Sequence, residues 1–159
     1  MTVKIICVGK LKERFYEDAV KEFAKRLSRY ASFDIIEVSD EKAPEQLCSS
    51  QKTQVKRCEG ERILAHIQSG EYVIATAIDG KMLKSEELSE KLSDIMLSGK
   101  SRIVFVIGGS LGLSDEVLAR ADFKLSFGKA TFSHQIFRIM LLEQIYRSFK
   151  IMNNEPYHK

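Results

Sequence analysis

The segment Arg102-Ile103-Val104-Phe105-Val106-Ile107-Gly108-Gly109-Ser110-Leu111-Gly112-Leu113-Ser114 decides how the chain is read. Its first six residues are β-branched or aromatic after the arginine, with no polar alternation, as expected of a strand covered on both faces. The strand runs straight into glycines, and Ser114-Asp115-Glu116 then supplies a capping hydroxyl and two acids for the start of a short helix to about Arg120. Such a strand, followed by a helix, belongs to a parallel sheet built of βα units.

The same pattern repeats outward. Val3 to Val8 is another near-continuous apolar run, and after it Phe15, Ala19, Phe23, Leu27 and Tyr30 mark one stripe of a helix, with Lys21, Lys25 and Arg29 on another face. Asp34 to Val38 reads as a second strand. Pro44, preceded by Asp40 and Glu41, predicts the start of a helix running to Ile67, with Gly60 its weak point. Tyr72 to Ile78 reads as a third strand closed by an Asp79-Gly80 turn. Ser85 then caps a helix whose stripe is Leu88, Leu92, Ile95 and Met96. Lys124 to Phe127 reads as the last strand, and Ser133 to Met152 as the last helix. No linker or internal repeat interrupts the 159 residues, so residues 1–159 are expected to form one α/β domain.

Composition narrows the function class. The longest apolar runs fall far short of the roughly 20 residues that span a bilayer. The N-terminal run is too brief for a signal-peptide core, so a cytoplasmic protein with no membrane partner is expected. Cys7, Cys48 and Cys58 form an odd set without a C-x-x-C pair, which points to packing thiols and to no metal site. Net charge is +3, but both ends are basic: residues 1–30 carry eight Lys/Arg against four Asp/Glu, and residues 124–159 carry six against two. Brought to one face, the ends would suit phosphates; scattered solvated charge is the alternative.

Two strand ends could hold a ligand. Gly108 to Ser114 lacks both G-x-G-x-x-G and the Lys-Ser/Thr of a phosphate loop, so it is either a backbone cradle or a tight turn needing positive φ. Ser126 to Gln135 enters a helix N-terminus, whose free amides favour a polar or anionic ligand edge, and His134 there suits capping or packing better than catalysis. The last helix carries Ile136, Phe137, Ile139, Met140, Leu141, Leu142, Ile145, Tyr146 and Phe149 around nearly all its faces. It is expected to pack on the sheet with one side and on a second copy with the other. Glu143 and Arg147 stand i, i+4 and can pair, and a buried Arg147 would be structural or a phosphate contact. In the tail, Tyr157 can stack on a base and His158 can exchange a proton near neutral pH.

Together, Val8-Gly9-Lys10-Leu11-Lys12, Asp40-Glu41-Lys42-Ala43-Pro44, Phe105 to Ser110, Ser126 to Gln135 and Pro156-Tyr157-His158 resemble the ribosomal RNA large subunit methyltransferase H family, in order and spacing over the whole chain. The resemblance implies a parallel-sheet SPOUT fold with a C-terminal deep trefoil knot. It also implies S-adenosyl-L-methionine as cofactor, a homodimer, and methylation of N3 of a pseudouridine in 23S rRNA on the assembled 70S ribosome. It places the cofactor at Thr76, Gly108 and Phe127-Gly128-Lys129-Ala130-Thr131-Phe132. The catalytic set it implies is His158, Tyr157, Arg147 and Glu143, with the tail of one subunit reaching the pocket of the other. Two other classes are weighed beside it: a small hydrolase or nucleotide-using enzyme, whose G-x-S-x-G elbow or phosphate lysine is missing, and a noncatalytic RNA-binding module.

Overall fold

In the computed structural model, which describes residues 1–157, the apolar runs become β1 (Thr2–Val8), β2 (Ser32–Val38), β3 (Tyr72–Met82), β4 (Arg102–Ile107) and β5 (Phe123–Ser126). Among the described residues they form one sheet in the order β2-β1-β4-β3-β5, every pairing parallel. The parallel sheet foreseen from the apolar strands is therefore present. The helices are α1 (Arg14–Leu27), α2 (Ser49–Leu64), α3 (Ser85–Leu97), α4 (Asp115–Arg120) and α5 (His134–Met152).

Alternating side chains send the strands' apolar residues to two separate cores. Val3, Ile5, Cys7, Ile103, Phe105 and Ile107 pack with residues of α1, α3 and α5 on one face. Ile6, Val8, Val104 and Val106 pack with Ile63 of α2 and Val117 of α4 on the other. The central strands are covered on both sides, which is why their sequence shows no alternation. Chain direction reverses between neighbours β1 and β4, since β1 continues through α1 toward β2 and β4 through α4 toward β5. Ligands in open α/β sheets gather beyond the carboxyl ends of strands at such a reversal.

The helix ends follow local chemistry. Ser114 Oγ accepts from the Val117 amide at 3.3 Å and caps α4, while Ser133, read as the first residue of the last helix, caps α5 by accepting from the Ile136 amide at 3.4 Å. At α3 the Lys84 amide donates to Glu87 at 2.7 Å, so helix geometry starts at Ser85, whose hydroxyl is given instead to Gln144 at 2.8 Å.

Besides the cap expected at Ser85, five expectations are corrected. Pro44 does not open α2: the helix starts at Ser49, where the Cys48 amide donates to Gln51 at 2.9 Å. The segment before it is held non-helical, because Arg62 donates to Ser39 O at 2.9 Å and to Glu41 at 2.5 Å, and the Glu41 amide donates to Glu59 at 3.0 Å. Gly60 is no weak point; a Cβ there would meet Ser114 Oγ at 2.3 Å, so the missing side chain lets α2 pack on α4. Asp79-Gly80 is no turn. The strand continues to Met82 through a register shift between Thr76 and Lys81, both opposite Leu125. Phe15, 64% exposed, leaves the stripe of α1. Residues spaced by four advance by about 40° at each step, so Phe15 lies about 120° around from Leu27. Finally, only Cys7 is a buried packing thiol; Cys48 is exposed and Cys58 partly so.

Candidate active site

Three strand ends assemble the first part of the site. Thr76 is half-buried in β3, and its hydroxyl donates to Val106 O at 2.8 Å, tying β3 to the end of β4. Gly108 follows β4, where the chain folds tightly back: the Gly112 amide donates to Gly109 O at 3.0 Å. After β5, Ser126 acts as a hub. Its hydroxyl lies 3.0 Å from Ile78 O, 3.2 Å from Gly128 O and 3.2 Å from the Gly128 amide, which fixes the turn after β5 against β3. Gly128 has φ +127 and open space where a Cβ would stand, so the backbone here can be approached closely. Lys129, Ala130, Thr131 and Phe132 are exposed, whereas Phe127 packs its ring 4.9 Å from that of Phe137. The fold thus brings Thr76, Gly108 and residues 127–132 to the carboxyl edge of β3, β4 and β5.

A second group sits on α5. Glu143 and Arg147 pair at 2.6 Å, as their spacing suggested. Tyr157 donates to the same Glu143 at 3.1 Å, its ring lies 4.7 Å from the Arg147 guanidinium, and Tyr146 meets it edge-on at 5.0 Å. Burial and the Glu143 carboxylate raise the Tyr157 phenol above its ordinary range. His158 lies outside the described residues. Ser126 and Phe127 from the first group and Glu143 from the second line one open groove of about 630 Å³, together with Met82 and Met140.

Other polar residues stand at the sheet's carboxyl edge, among them Arg138 and Glu59, to which the sequence alone assigned no role. Arg138, not Arg147, is the buried arginine of α5: it is 1% exposed, donates to Glu37 at 2.5 Å and to Gly9 O at 3.0 Å, and so ties α5 to the ends of β1 and β2. Its only sequence signal was a charge among apolar residues. Glu59 is buried in α2 with Oε2 unpartnered among the described residues, and a Cβ on Gly109 would stand 2.8 Å from that oxygen. Burial holds its carboxyl above the usual range. A glutamate on a polar helix gives no sign of this. His134 stands beside Gly9, and burial, then the nearby Arg138, lowers its pKa, which fits a packed neutral ring. The tail has an anchor of its own: Glu155 accepts from Tyr30 at 2.8 Å and pairs with Lys150. No helix among the described residues is long and apolar enough to cross a membrane.

A parallel α/β sheet whose strand ends present backbone turns beside an apolar groove fits a protein that binds a small organic cofactor by its backbone. Over residues 1–158 the chain matches the family described as "Predicted SPOUT methyltransferase", which sets the class. Proteins named ribosomal RNA large subunit methyltransferase H from Clostridium kluyveri and Enterococcus faecalis are 57% and 54% identical to it over 159 residues, covering 100% of both chains in each case. The chain belongs to the ribosomal RNA large subunit methyltransferase H family. The structure of a probable methylase family protein from Haemophilus influenzae is similar in fold, with a TM-score of 0.52 and 15% identity over 99% of this chain and 70% of that one.

Proposed function

We propose that this chain transfers a methyl group from S-adenosylmethionine to N3 of a pseudouridine in 23S rRNA. In this reading residues 1–159 form one domain that works in the cytoplasm as a homodimer on the assembled 70S ribosome. One observation carries it: Glu143 both lines the groove beside Phe127 and holds Tyr157, so the turn assigned to the cofactor and the tail assigned to the substrate meet at one groove. Family membership supplies the reaction class.

The cofactor residues fit their group. The backbone is pinned at Gly128 by Ser126 yet open on the Gly128 side, which suits recognition of an adenosine edge through amides and carbonyls. The hydroxyl of Thr76 is already engaged with Val106, so Thr76 would contribute packing only. The cofactor, when bound, supplies an electrophilic methyl. What remains for the protein is positioning and removal of one proton. A neutral His158 would accept the N3 proton, which lets the nitrogen lone pair attack. Tyr157 would stack on the base, held by Glu143 and Arg147 as positioning residues.

The dimer is supported by the groove's surroundings: Met82 is 61% exposed and Ile136 42%, an apolar surface that a second copy would cover. The proposed trefoil knot is supported by the strand order, in which the chain leaves β4 and reaches the far side of β3 before entering α5. His158→Ala tests the reading. Methyl transfer to 70S ribosomes is expected to fall about 100-fold or more, the scale of general base catalysis, with S-adenosylmethionine binding retained in calorimetry. Unchanged transfer would remove the tail from the mechanism.

A further inference from the structure

The turn between β1 and α1 carries an aromatic ring in an unusual place. Phe15 occupies the first turn of α1 and is 64% exposed, with the Tyr16 ring tilted against it at 4.2 Å. Around it Lys10, Lys12 and Arg14 are exposed, the Arg14 side chain at 91%, and its ion pair with Asp18 is a loose 3.8 Å contact. Such a pair holds a cation weakly.

This turn is tied to the candidate site. The Lys12 amide donates to Gln135 Oε1 at 2.7 Å, and Gly9 lies against His134, so the turn runs beside the start of α5. The segment leading into α5 exposes Lys129 and Phe132, the latter 39% exposed. Lys10, Lys12, Arg14 and Lys129 share this edge with Glu13, Glu17, Asp18 and Asp40, but Glu17 faces Lys21 at 3.9 Å and Asp18 meets Arg14 only loosely, so the four cations stay open to a phosphate. Exposed rings among cations are the means by which proteins hold unpaired RNA: bases stack on the aromatic face, and phosphates meet the lysines and arginines.

We propose that the β1–α1 turn is an RNA-docking rim beside the cofactor loops, with Phe15 as the platform for an unpaired base and Lys10, Lys12 and Arg14 as phosphate contacts. This rests on the reading that the chain acts on ribosomal RNA, and it names the surface that would take the RNA. The packing of α1 does not require Phe15, so substitutions there leave the fold intact.

The test compares Phe15→Leu and Phe15→Tyr with the unaltered protein, using 70S ribosomes and S-adenosylmethionine. Phe15→Leu should raise KM for ribosomes about 5- to 150-fold, the worth of one stacked base, with kcat and cofactor binding retained. Phe15→Tyr should restore it. Lys10→Ala, Lys12→Ala and Arg14→Ala combined should flatten the dependence of log KM on log salt, the slope falling by roughly one for each phosphate that the protein no longer neutralises. An unchanged KM for Phe15→Leu would overturn the proposal. So would a loss of dimer in sedimentation of Phe15→Leu, because the ring would then serve a second copy. If the unaltered protein transfers no methyl group to ribosomes, the functional reading fails; if it does and Phe15→Leu matches it, only the docking rim fails.

Discussion

Substituting Gly80 by Ala probes the link between the irregular half of β3 and the candidate cofactor turn. An added Cβ would stand 2.8 Å from the carbonyl carbons of Lys124 and Leu125 and 2.9 Å from the Leu125 nitrogen. Relaxing those contacts to about 3.5 Å requires a shift of about 0.7 Å, and the obstacle is backbone, so no side-chain rotation relieves it. Gly80 is outside the positive-φ glycines, so alanine can adopt its backbone and the cost is steric. Overpacking of this kind costs about 1–3 kcal/mol, or a fall in Tm of about 2–12 °C for a chain of this size. The displaced strand is β5, which has four residues and leads directly into residues 127–132. Affinity for S-adenosylmethionine should therefore fall about tenfold or more, a loss of roughly 1.4 kcal/mol. Gly70→Ala is the matched control. Its site has φ +85 with open space around it, so it pays about 1–2 kcal/mol of left-handed strain and keeps its cofactor affinity. Calorimetric titration and thermal melts of both variants decide the matter. Wild-type affinity in Gly80→Ala beside a lowered Tm would refute the coupling between β3 and the turn, and an unchanged Tm would refute the steric argument itself.

Arg138→Met keeps bulk in the core but strips Gly9 O of its donor and Glu37 of its partner; about 3 kcal/mol should be lost in urea unfolding, whereas Glu37→Gln, which keeps a hydrogen bond, should lose about 1 kcal/mol. Equal stability of Arg138→Met and wild type would show that the pair does not hold α5 to the sheet. His134 gives a pH dependence. Its folded pKa lies below the ordinary 6.5, so between those values the unfolded chain binds more protons than the folded one. The stability it contributes is complete above pH 6.5 and is lost as pH falls toward its folded pKa; unfolding midpoints measured from pH 8 to 5 should show this decline in wild type and less of it in His134→Gln.

Much of the architecture was legible because parallel strands buried on both faces need unbroken apolar runs. Arg102 to Ile107 gave one strand to the residue, and Ser114 and Ser133 marked their helices through hydroxyls that cap locally. The failures came where distant residues overrule local preference. Asp79-Gly80 has turn chemistry, but the backbone of β5 packs so close that glycine is needed for contact within the sheet. The start of α2 depended on Arg62 and Glu59 reaching back to hold residues 39–41, which no local pattern records. At the site, the Glu143–Arg147 pair was readable from helical spacing, but its engagement with Tyr157 depends on how the tail turns after Asn153. The anchor between Tyr30, Lys150 and Glu155 joins positions 125 residues apart in the case of Tyr30, beyond the reach of periodicity.

The proposed reaction adds a methyl group to one pseudouridine of 23S rRNA. Its most direct test is to incubate the protein with S-adenosylmethionine and 70S ribosomes lacking the modification, digest the RNA, and locate added methyl groups by mass spectrometry. A single new methyl at N3 of a pseudouridine is expected, with less transfer to free 50S subunits or naked rRNA. No added methyl, or a methyl on another base or atom, would contradict it.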